Sequence, residues 1–467
     1  MDRNSYKKDP KLNKNTLPAF PEVFDNPEDF NFLGMNISKY FYDHSITRKN
    51  ILVNKPVSNK GLLKHSFLSN PILVVNAFIK LVYLVIASRN KIIFYGNSNR
   101  IIKEGNAYFD SFNFNIIKDI GPKKVLIIQD RGDFIKGKIF SPNLIIDDLY
   151  PLLFIIKKIF YVFHRKELLE FDARIGSKLK VLGFSDDECV TKLLEFSIRY
   201  VFFSFLLSRI KPKSVLLTCH YSKHALIAAC RQLSIPVIEL MHGQILPNHR
   251  YYNNLKVSPE FITSFRKWSL PDKIGVYGDF WKNTLIEGKF FTEASIINIG
   301  YYQKLPEIKS PSLRENRKIT ILIASDGIMQ SYFLNYIKFL KTKLDKDKFK
   351  IIIKLHPSED GRIFTEVVDS QFVFLEEADI YQLFSKADVL ISVYSTVIFE
   401  ATLFDIRIYS MFIPKYQKHC EMILKTGAAE RLNMDQIPDF SPSSLDNKRV
   451  FLDKYNFKKF SILVDLN

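Results

Sequence analysis

KFKIIIKLHPSED, at residues 348–360, runs from a short β-branched strand into a polar loop that contains His356. About thirty residues later, ADVLISVYSTVIFEATLF at residues 387–404 repeats the design: an apolar strand, a loop that holds Ser395 and Thr396, and a helix. Apolar runs of this length that end in polar loops predict the strands of an α/β domain. Parallel strands end at the same edge of their sheet, and α/β proteins bind ligands at that edge. The two segments therefore predict that His356, Ser395 and Thr396 lie together at a ligand-binding edge.

Length and charge narrow the class of protein. The chain has 467 residues, of which 47% are hydrophobic and 25% charged, and this is ordinary for a globular protein of two or three domains. Its 67 Lys and Arg residues outnumber 49 Asp and Glu and give a net charge of +18, which favours anionic partners. Nucleotide phosphates, lipid phosphates and nucleic acid all fit that charge. Because the chain has no basic and aromatic RNA-binding motif, we expect no nucleic-acid partner.

The cysteines and the N-terminus bear on the cellular compartment. The four cysteines are scattered without metal-binding spacing, which predicts neither a disulfide framework nor a zinc site. The first residues are polar and lack the apolar core of a signal peptide. We therefore expect a cytoplasmic protein, with the inner face of the cytoplasmic membrane as an alternative location.

Two apolar segments raise the question of a membrane. PILVVNAFIKLVYLVIAS, residues 71–88, is interrupted by Asn76 and Lys80 and falls short of the roughly 20 apolar residues that span a bilayer, so it predicts a buried helix. Residues 149–210 carry Phe and Tyr at helical spacing, which is typical of core helices. The alternative is a peripheral contact with an anionic membrane, through these basic side chains: Lys157, Lys158, Arg165 and Lys166.

A strand, a helix and a second strand follow one another at residues 213–244. The right-handed crossover of such a unit places His220 and His242, each just after a strand, on one edge of the sheet. His242 is the candidate general base for an acceptor hydroxyl or a phosphate ligand, and Glu239 is the candidate to orient it. His220 and Arg250, the latter in the polar loop that follows, are the candidate acceptor-binding residues.

A second group of candidates surrounds two strand ends in the later part of the chain. The Ser325-Asp326-Gly327 loop enters a helix, and the backbone N–H groups there suit either a helix cap or an anion. His356 can donate a hydrogen bond to a phosphate oxygen and offset the charge of a leaving group, and Lys354 precedes it. We therefore predict that Ser325, Asp326 and Lys354 bind a nucleotide-activated donor and that His356 is catalytic.

The loop at Ser395 and Thr396 completes the predicted donor site. Its hydroxyls and the N–H groups of a helix start suit a diphosphate or a phosphodiester. A plain helix cap is the alternative for both residues. Glu400, about one helical turn further on, is the candidate to accept hydrogen bonds from ribose hydroxyls.

Several common catalytic motifs are absent from the sequence. It has no Walker loop, HExxH, GxSxG or GxGxxG, which argues against the common phosphate-loop, zinc-protease and hydrolase classes. It has no clear DxD-like metal motif apart from the Asp147-Asp148 and Asp186-Asp187 pairs. We therefore expect metal-independent transfer with no cofactor, in which the nucleotide-activated donor is a substrate.

A charged bridge with two prolines, PEIKSPSLRENRK at residues 306–318, predicts the domain boundary. We expect a flexible arm at residues 1–30 and an acceptor-side domain with a helical insertion at residues 31–305. A donor-binding domain at residues 306–440 and a tail at residues 441–467 that packs back on the body complete the organisation.

Three motifs together resemble a known group of enzymes. ELMHGQ at 239–244, KLHPSE at 354–359 and ISVYSTVIFEA at 391–401 resemble bacterial GT-B-fold transferases of surface and capsular polysaccharide synthesis. The sialyltransferases and the CDP-glycerol glycerophosphotransferases of teichoic-acid assembly are the most similar in pattern. The resemblance implies that His356, Ser395 and Thr396 hold the donor phosphate, that Glu400 reaches the ribose, and that His242 faces the acceptor or assists catalysis.

These observations predict two Rossmann-like α/β domains in a GT-B arrangement with a cleft between them. We expect a glycosyltransferase that moves a sugar from a nucleotide donor to a surface-polysaccharide or lipid-linked glycan acceptor, with CMP- and CDP-linked donors as candidates. Two alternatives remain open from the sequence: a nucleotide-sugar 2-epimerase and a non-enzymatic protein that binds polyanions.

Overall fold

The structure is a computed structural model. It describes residues 26–54, 71–96, 101–104, 107–110, 114–129, 138–139, 143–145, 149–247, 249–253, 257–303, 317–327, 329–356, 359, 361–369, 371–441 and 451–465. Residues 1–25, most of the 306–318 bridge and residues 442–450 lie outside the described residues.

The helices and strands of these ranges are numbered in chain order. The strands are β1 (Asn31–Phe32), β2 (Met35–Asn36), β3 (Ile92–Tyr95), β4 (Ile101–Glu104), β5 (Ala107–Asp110), β6 (Val125–Gln129), β7 (Lys138–Ile139), β8 (Asn143–Ile145), β9 (Val215–Leu217), β10 (Val237–Leu240), β11 (Lys273–Val276), β12 (Ile296–Asn298), β13 (Ile319–Ala324), β14 (Phe349–Lys354), β15 (Val373–Leu375), β16 (Val389–Ser392), β17 (Arg407–Phe412) and β18 (Glu430–Asn433). The α-helices are α1 (Ser38–Asn54), α2 (Pro71–Ala87), α3 (Phe114–Ile120), α4 (Tyr150–Val181), α5 (Asp186–Ile210), α6 (His224–Gln232), α7 (Pro259–Trp268), α8 (Asp279–Glu287), α9 (Gln330–Lys343), α10 (Ile380–Phe384), α11 (Val397–Ala401), α12 (Gln417–Thr426) and α13 (Phe457–Val464).

The first large sheet has the strand order β12-β11-β10-β9-β3-β6-β8, and its neighbouring strands pair in parallel. Counted from β3, this is the Rossmann order 3-2-1-4-5-6 with one more strand at the far edge. The side chains of β3, β9 and β10 are buried throughout. Strands buried on both faces are expected where helices cover both sides of a parallel sheet.

The second large sheet has the order β15-β14-β13-β16-β17-β18 and is also parallel. Counted from β13, it is the Rossmann order without addition. The KFKIIIKLHPSED and ADVLISVYSTVIFEATLF segments supply β14 and β16, one on each side of β13. The predicted fold of two Rossmann-like domains is therefore confirmed.

Two long helices, α4 and α5, lie between the third and fourth strands of the first sheet and pack against each other. A capping box starts α5: the side chain of Ser185 caps the N3 backbone N–H, and its own backbone N–H donates to Glu188 Oε2 at 2.6 Å. Lys211 ends the helix in the left-handed region at φ 49°. Helix α4 is interrupted at His164, whose φ of −118° and ψ of 20° are not helical.

Residues 71–87 form a helix, but the prediction that this helix is buried is wrong for one face. Its buried side consists of Ala77, Leu81 and Leu84, while apolar side chains on the other side are exposed. The sequence is apolar all round the helix, but α2 packs against α4 and α5 along one side. Hydrophobic content alone therefore did not reveal which face is covered.

Residues 451–465 return to the first sheet. The backbone of Asp453 bonds with both Tyr277 and Tyr301, at 2.8 Å each. Helix α13 then packs on β11 and β12. Gly275 of β11 allows this approach, because a Cβ at that position would lie 2.9 Å from a methyl carbon of Leu463.

Trp281 joins the returning segment to both domains. Its indole N–H donates to the carbonyl of Phe451 at 2.7 Å, and its ring packs edge-on against Phe399 of α11 at 4.8 Å. The side chain is fully buried. We expect Trp281→Phe to lower the free energy of unfolding by about 1 to 2 kcal/mol through the lost hydrogen bond. We expect Trp281→Ala to lower it by about 3 to 5 kcal/mol through the added cavity.

Urea unfolding followed by circular dichroism measures this difference. Trp268→Phe is the matched control, because Trp268 is only half-buried on α7. An effect of Trp281→Ala no larger than that of the control would contradict the role of Trp281 as a joint between the domains.

Candidate functional site

The strand order of each sheet reverses at one position, and open α/β sheets bind ligands at such positions. In the first sheet the reversal lies between β3 and β9, and in the second between β13 and β16. The loop after β9 carries Cys219 and His220. The loops after β13 and β16 carry residues 325–327 and 394–396. Both reversals therefore coincide with loops that hold candidate site residues predicted from the sequence.

The carboxyl edges of the two sheets face each other. The loop that follows β10 contacts the loop that follows β16: the backbone N–H of Gln244 points to Thr396 Oγ1 at 3.4 Å, and its side-chain amide donates to the carbonyl of Tyr394. A Cβ added to Gly243 would lie 3.5 Å from the same Thr396 oxygen, which is an ordinary contact distance. The cleft is therefore closed at this point by loops of both domains.

The structure places the predicted donor residues at one sheet edge. His356 follows β14, Ser325 and Asp326 follow β13, and Ser395 follows β16, and these three strands are neighbours. Adjacent strands lie about 4.8 Å apart, so the ends of β14 and β16 are separated by about 10 Å. Thr396 and Ser395 are half-buried, whereas His356 is exposed. A phosphate group with a hydrogen-bonding partner on each side spans a similar distance.

Glu359 organises this edge, and sequence reasoning missed it. Its carboxylate accepts hydrogen bonds from Ser325 Oγ at 2.7 Å, from the Gly327 N–H at 3.0 Å and from the His356 N–H at 2.8 Å. Gly327 has φ 88°, a conformation that favours glycine. The signal was present in the sequence, since a carboxylate three residues after His356 resembles the spacing of a capping box. Ser325 therefore supports the loop through Glu359.

Lys354 and Glu400 have partners of their own. The ammonium group of Lys354 donates to the carbonyl of Glu377 at 3.2 Å. Glu400 hydrogen-bonds the hydroxyl of Tyr381, which lies 2.7 Å from the hydroxyl of Tyr301 in the first domain. Burial and the charge of Glu400 raise the pKa of Tyr381, so this hydroxyl stays protonated. Glu400 thus lies at the seam between the domains.

His242 is half-buried in the cleft loop and lies beside Cys219. The Sγ atom of Cys219 is 3.1 Å from His242 Nε2 and 3.6 Å from Nδ1. Cys219 has φ 60°, a left-handed conformation that is uncommon for a residue with a side chain. Sequence reasoning did not single out Cys219, because one cysteine without a regular spacing carries no motif.

Glu239 does not hydrogen-bond His242, contrary to the sequence-based prediction. Its fully buried carboxylate accepts from His220 Nδ1 at 2.7 Å and from the Tyr252 hydroxyl at 2.5 Å. Burial opposes ionisation, but the charge and hydrogen bond of His220 and the bond from Tyr252 outweigh it and lower the pKa of Glu239. Side chains alternate along β10, so Glu239 faces this interior network while His242 belongs to the loop. Glu239 is therefore a positioning residue.

The prediction that His220 binds the acceptor is also wrong, because its side chain cannot reach an acceptor in this conformation. Its side chain is fully buried, with the rings of Tyr252 at 4.9 Å and Tyr221 at 5.8 Å. Its Nε2 atom is buried without a hydrogen-bond partner. Arg250, the other predicted acceptor residue, is exposed, and its carbonyl accepts from the Tyr42 hydroxyl at 3.3 Å.

A second buried charge cluster lies beneath these residues. Lys39 Nζ donates to Asp43 Oδ1 at 2.5 Å, and His224 Nε2 lies 2.9 Å from Asp43 Oδ2. The Lys39 side chain is fully buried and also donates to the carbonyl of Tyr251 at 3.3 Å. Burial raises the pKa of Asp43, but the charge of Lys39 and the contact with His224 outweigh it and hold the pKa low. Removing one member of such a pair costs about 3 to 5 kcal/mol.

Within the described ranges, no group of three or more His, Cys, Asp or Glu side chains is arranged to hold a metal ion.

The histidines around this network predict an acid-sensitive domain. Burial lowers the pKa of His249 to about 4, with the nearby charge of His220 adding to the shift. The folded state therefore keeps His249 neutral, while the unfolded chain takes up a proton near the ordinary pKa of about 6.5. The free energy of unfolding is therefore highest above about pH 6.5. It falls by about 1 to 3 kcal/mol between about pH 6.5 and pH 4.

Chemical denaturation at stepped pH values measures this slope. His249→Gln should flatten it, whereas His356→Gln changes an exposed ring and should leave it as in the wild type. A slope in His249→Gln equal to that of the wild type would contradict the assignment of the acid sensitivity to His249.

The comparison with protein-family models gives a match within the second domain. Residues 311–425 match the family model of CDP-Glycerol:Poly(glycerophosphate) glycerophosphotransferase. This range contains β13, β14 and β16 and the loops that follow them. The resemblance to this family predicted from KLHPSE and ISVYSTVIFEA is therefore confirmed over that range. A search of curated proteins found no sequence match.

The solved structures with a similar fold share little sequence with this chain. The UDP co-structure of MnaA from S. aureus is 11% identical with a TM-score of 0.42, over 74% of this chain and 85% of that one. Acinetobacter baumannii MurG is 10% identical with a TM-score of 0.39, over 74% and 87%. The wall teichoic acid polymerase TagF is 13% identical with a TM-score of 0.39, over 74% and 80%. These values are too low to bear on function.

The family match covers the donor-side loops, and loops at the carboxyl edges of the two parallel sheets contact each other. On these two grounds, the chain is a transferase of the GT-B fold.

Proposed function

We propose that this transferase moves a sugar from a nucleotide-activated donor to a surface-polysaccharide or lipid-linked glycan acceptor without a metal ion. The contact across the cleft carries the proposal: the loop that holds His242 touches the loop that holds Ser395 and Thr396. A ligand bound at this seam would meet a basic side chain of one domain and hydroxyl groups of the other. That combination suits an acceptor hydroxyl and a donor phosphate.

In the proposed reaction, the acceptor oxygen forms a bond to the anomeric carbon while the bond from that carbon to the donor phosphate oxygen breaks. The acceptor proton passes to His242, and the electron pair of the broken bond leaves with the nucleotide. The carboxylate of Glu239 would stabilise the positive charge that develops on His242, because the two groups are close enough to interact electrostatically. His356 offsets the negative charge on the leaving phosphate.

The distribution of carboxylates favours a particular orientation of the donor. Glu359 already accepts from the N–H groups of Gly327 and His356, so these groups are engaged by a carboxylate. Asp326 and Glu400 add further negative charge, which suits hydroxyl groups better than phosphate. We therefore expect the ribose near Asp326 and Glu400. The phosphate fits best among the side chains of Lys354 and His356 and the hydroxyls of Ser395 and Thr396.

Transfer of a glycerophosphate group is the second candidate, and the family match over residues 311–425 favours it. In that reaction the acceptor oxygen bonds to the β-phosphorus of a CDP-linked polyol, and the phosphoanhydride bond breaks to release CMP. The same base and phosphate ligands would serve. The released nucleotide separates some of the alternatives, because a nucleoside diphosphate sugar would leave a diphosphate.

Binding of nucleotides tests the donor site. We expect Lys354→Ala and Thr396→Val each to weaken binding of CMP or CDP about tenfold, which corresponds to the loss of one hydrogen bond to a charged group. Isothermal titration calorimetry with CMP, CDP, UDP and GDP makes the measurement.

Two matched controls lie on the same elements. Lys350 is at the opposite end of β14, with its ammonium group over the ring of Phe374, and Thr402 follows α11 and donates to the carbonyl of Phe399. Lys350→Ala and Thr402→Val should retain wild-type affinity. Equal losses in the variants and controls, or no binding of any nucleotide, would refute the assigned donor site.

Turnover tests the role of His242. We expect His242→Asn to reduce the rate of nucleotide release in the presence of acceptor by 10²- to 10⁴-fold with little change in nucleotide affinity, because a general base contributes about that factor. Product analysis by mass spectrometry with donor alone is the control. A changed sugar in the absence of acceptor would favour the epimerase, and nucleotide binding without turnover on any acceptor tried would favour a binding protein.

A further inference from the structure

Helix α2 exposes a continuous apolar stripe. Its members recur at intervals of one, three and four residues, which places them on one face of a helix. They are exposed by between 41% and 75%: Val75, Phe78, Ile79, Val82, Tyr83 and Ile86. Exposed large side chains are ordinary when they stand singly, but a continuous apolar face on a folded domain marks an interaction surface.

The first half of α4 carries a second exposed apolar stripe. Helix α4 contacts α2 and exposes its own stripe of Ile155, Ile159, Val162 and Phe163, the last by 75%. Phe205 of α5, which also contacts α2, is exposed by 47%. We call the exposed side chains of α2 and of residues 155–163 the apolar face.

The two segments that carry the apolar face contain basic side chains only, and the nearest acidic side chains on α4, Glu167 and Glu170, come directly after them. Glu170 lies 3.8 Å from Lys166. Residues 71–91 and 150–166 contain no Asp or Glu. They do contain basic residues, and these are Lys80, Arg89, Lys91, Lys157, Lys158, Arg165 and Lys166. Among them Arg89, Lys158, Arg165 and Lys166 are exposed. An apolar surface flanked by cations matches a bilayer whose headgroups carry negative charge.

We propose that the apolar face docks on the surface of an anionic lipid bilayer. A second copy of this chain fits less well, because a two-fold contact through this face would bring the same cations together. A membrane supplies both an apolar interior for Phe78, Ile86 and Phe163 and anionic headgroups for the cations around them.

The helices lie on the membrane and do not cross it. No helix in the described part of the chain is long and apolar enough to span a bilayer. With 17 residues, α2 is about 26 Å long, which is shorter than the roughly 30 Å apolar layer. The opposite side of α2 packs against the protein through Leu81 and Leu84, so only one face of this helix is available to contact lipid.

This inference goes beyond the proposed function and does not rest on it. Vesicle co-sedimentation of the full chain tests it without a donor or an acceptor. We expect binding to vesicles of phosphatidylcholine with one third phosphatidylglycerol, weaker binding to phosphatidylcholine alone, and a decline as salt is raised.

Paired variants locate the contact. Phe78→Ser combined with Ile86→Ser should weaken binding at least tenfold, and the matched control is Ile462→Ser on α13, where the side chain is 54% exposed. Lys157→Glu combined with Lys158→Glu should weaken binding to the anionic vesicles at least tenfold. Lys458→Glu combined with Lys459→Glu, an exposed pair on α13, should change it less than twofold.

Three results would overturn the proposal. The first is no binding to either kind of vesicle by a chain whose circular dichroism shows it folded. The second is equal loss in the α2 and α13 variants, which would assign the effect to charge or apolar content in general. The third is self-association in analytical ultracentrifugation that Phe78→Ser and Ile86→Ser abolish while vesicle binding is absent, which would assign the apolar face to a second copy.

Discussion

Parallel pairing of the strands is the constraint on which the rest of this structure depends. A parallel sheet puts every strand's carboxyl end at one edge, so loops distant in sequence become neighbours without any direct attraction between them. The two edges meet where Gln244 of the first domain contacts the loop at Tyr394 and Thr396 of the second. The distance between His242 and the donor-side hydroxyls is thus set by the packing of two whole sheets. A change far from the cleft, in the segment anchored by Trp281, can therefore alter it.

The first domain carries an unusual amount of buried charge close to this cleft. Glu239 with His220, and Asp43 with Lys39 and His224, lie in an interior where an unpaired charge is costly. Each carboxylate lies within 3 Å of two partner groups, which offsets part of the cost of burying its charge. Groups paired in this way favour one arrangement of their loops. The network gives the cleft loops a rigid support and contributes a fixed negative charge behind His242.

Particular residues show how far sequence reasoning reached. The strands at 351–354 and 389–392 and their polar loops were predictable, because apolar runs that end abruptly in His, Ser and Thr have few other interpretations in an α/β chain. Glu239 and His220 were placed on the correct strand and loop, but their partners were not predictable, since those come from Tyr252 and from each other across the sheet. Glu359 carried a local signal that was overlooked. The exposed face of α2 carried none, because an all-apolar helix does not indicate which side its neighbours cover.

By itself, the sequence determined the alternation of strands and helices, the two Rossmann-like halves and the chemical character of the loops, since these follow from local propensity and the period of apolar residues. Only the tertiary structure decided which loops meet, which histidine faces the cleft and which is enclosed, and which apolar face stays open to solvent. These properties depend on contacts between residues far apart in the chain, such as Trp281 with Phe451 and Gln244 with Thr396. No local pattern encodes such contacts, because they form only when the sheets are already packed.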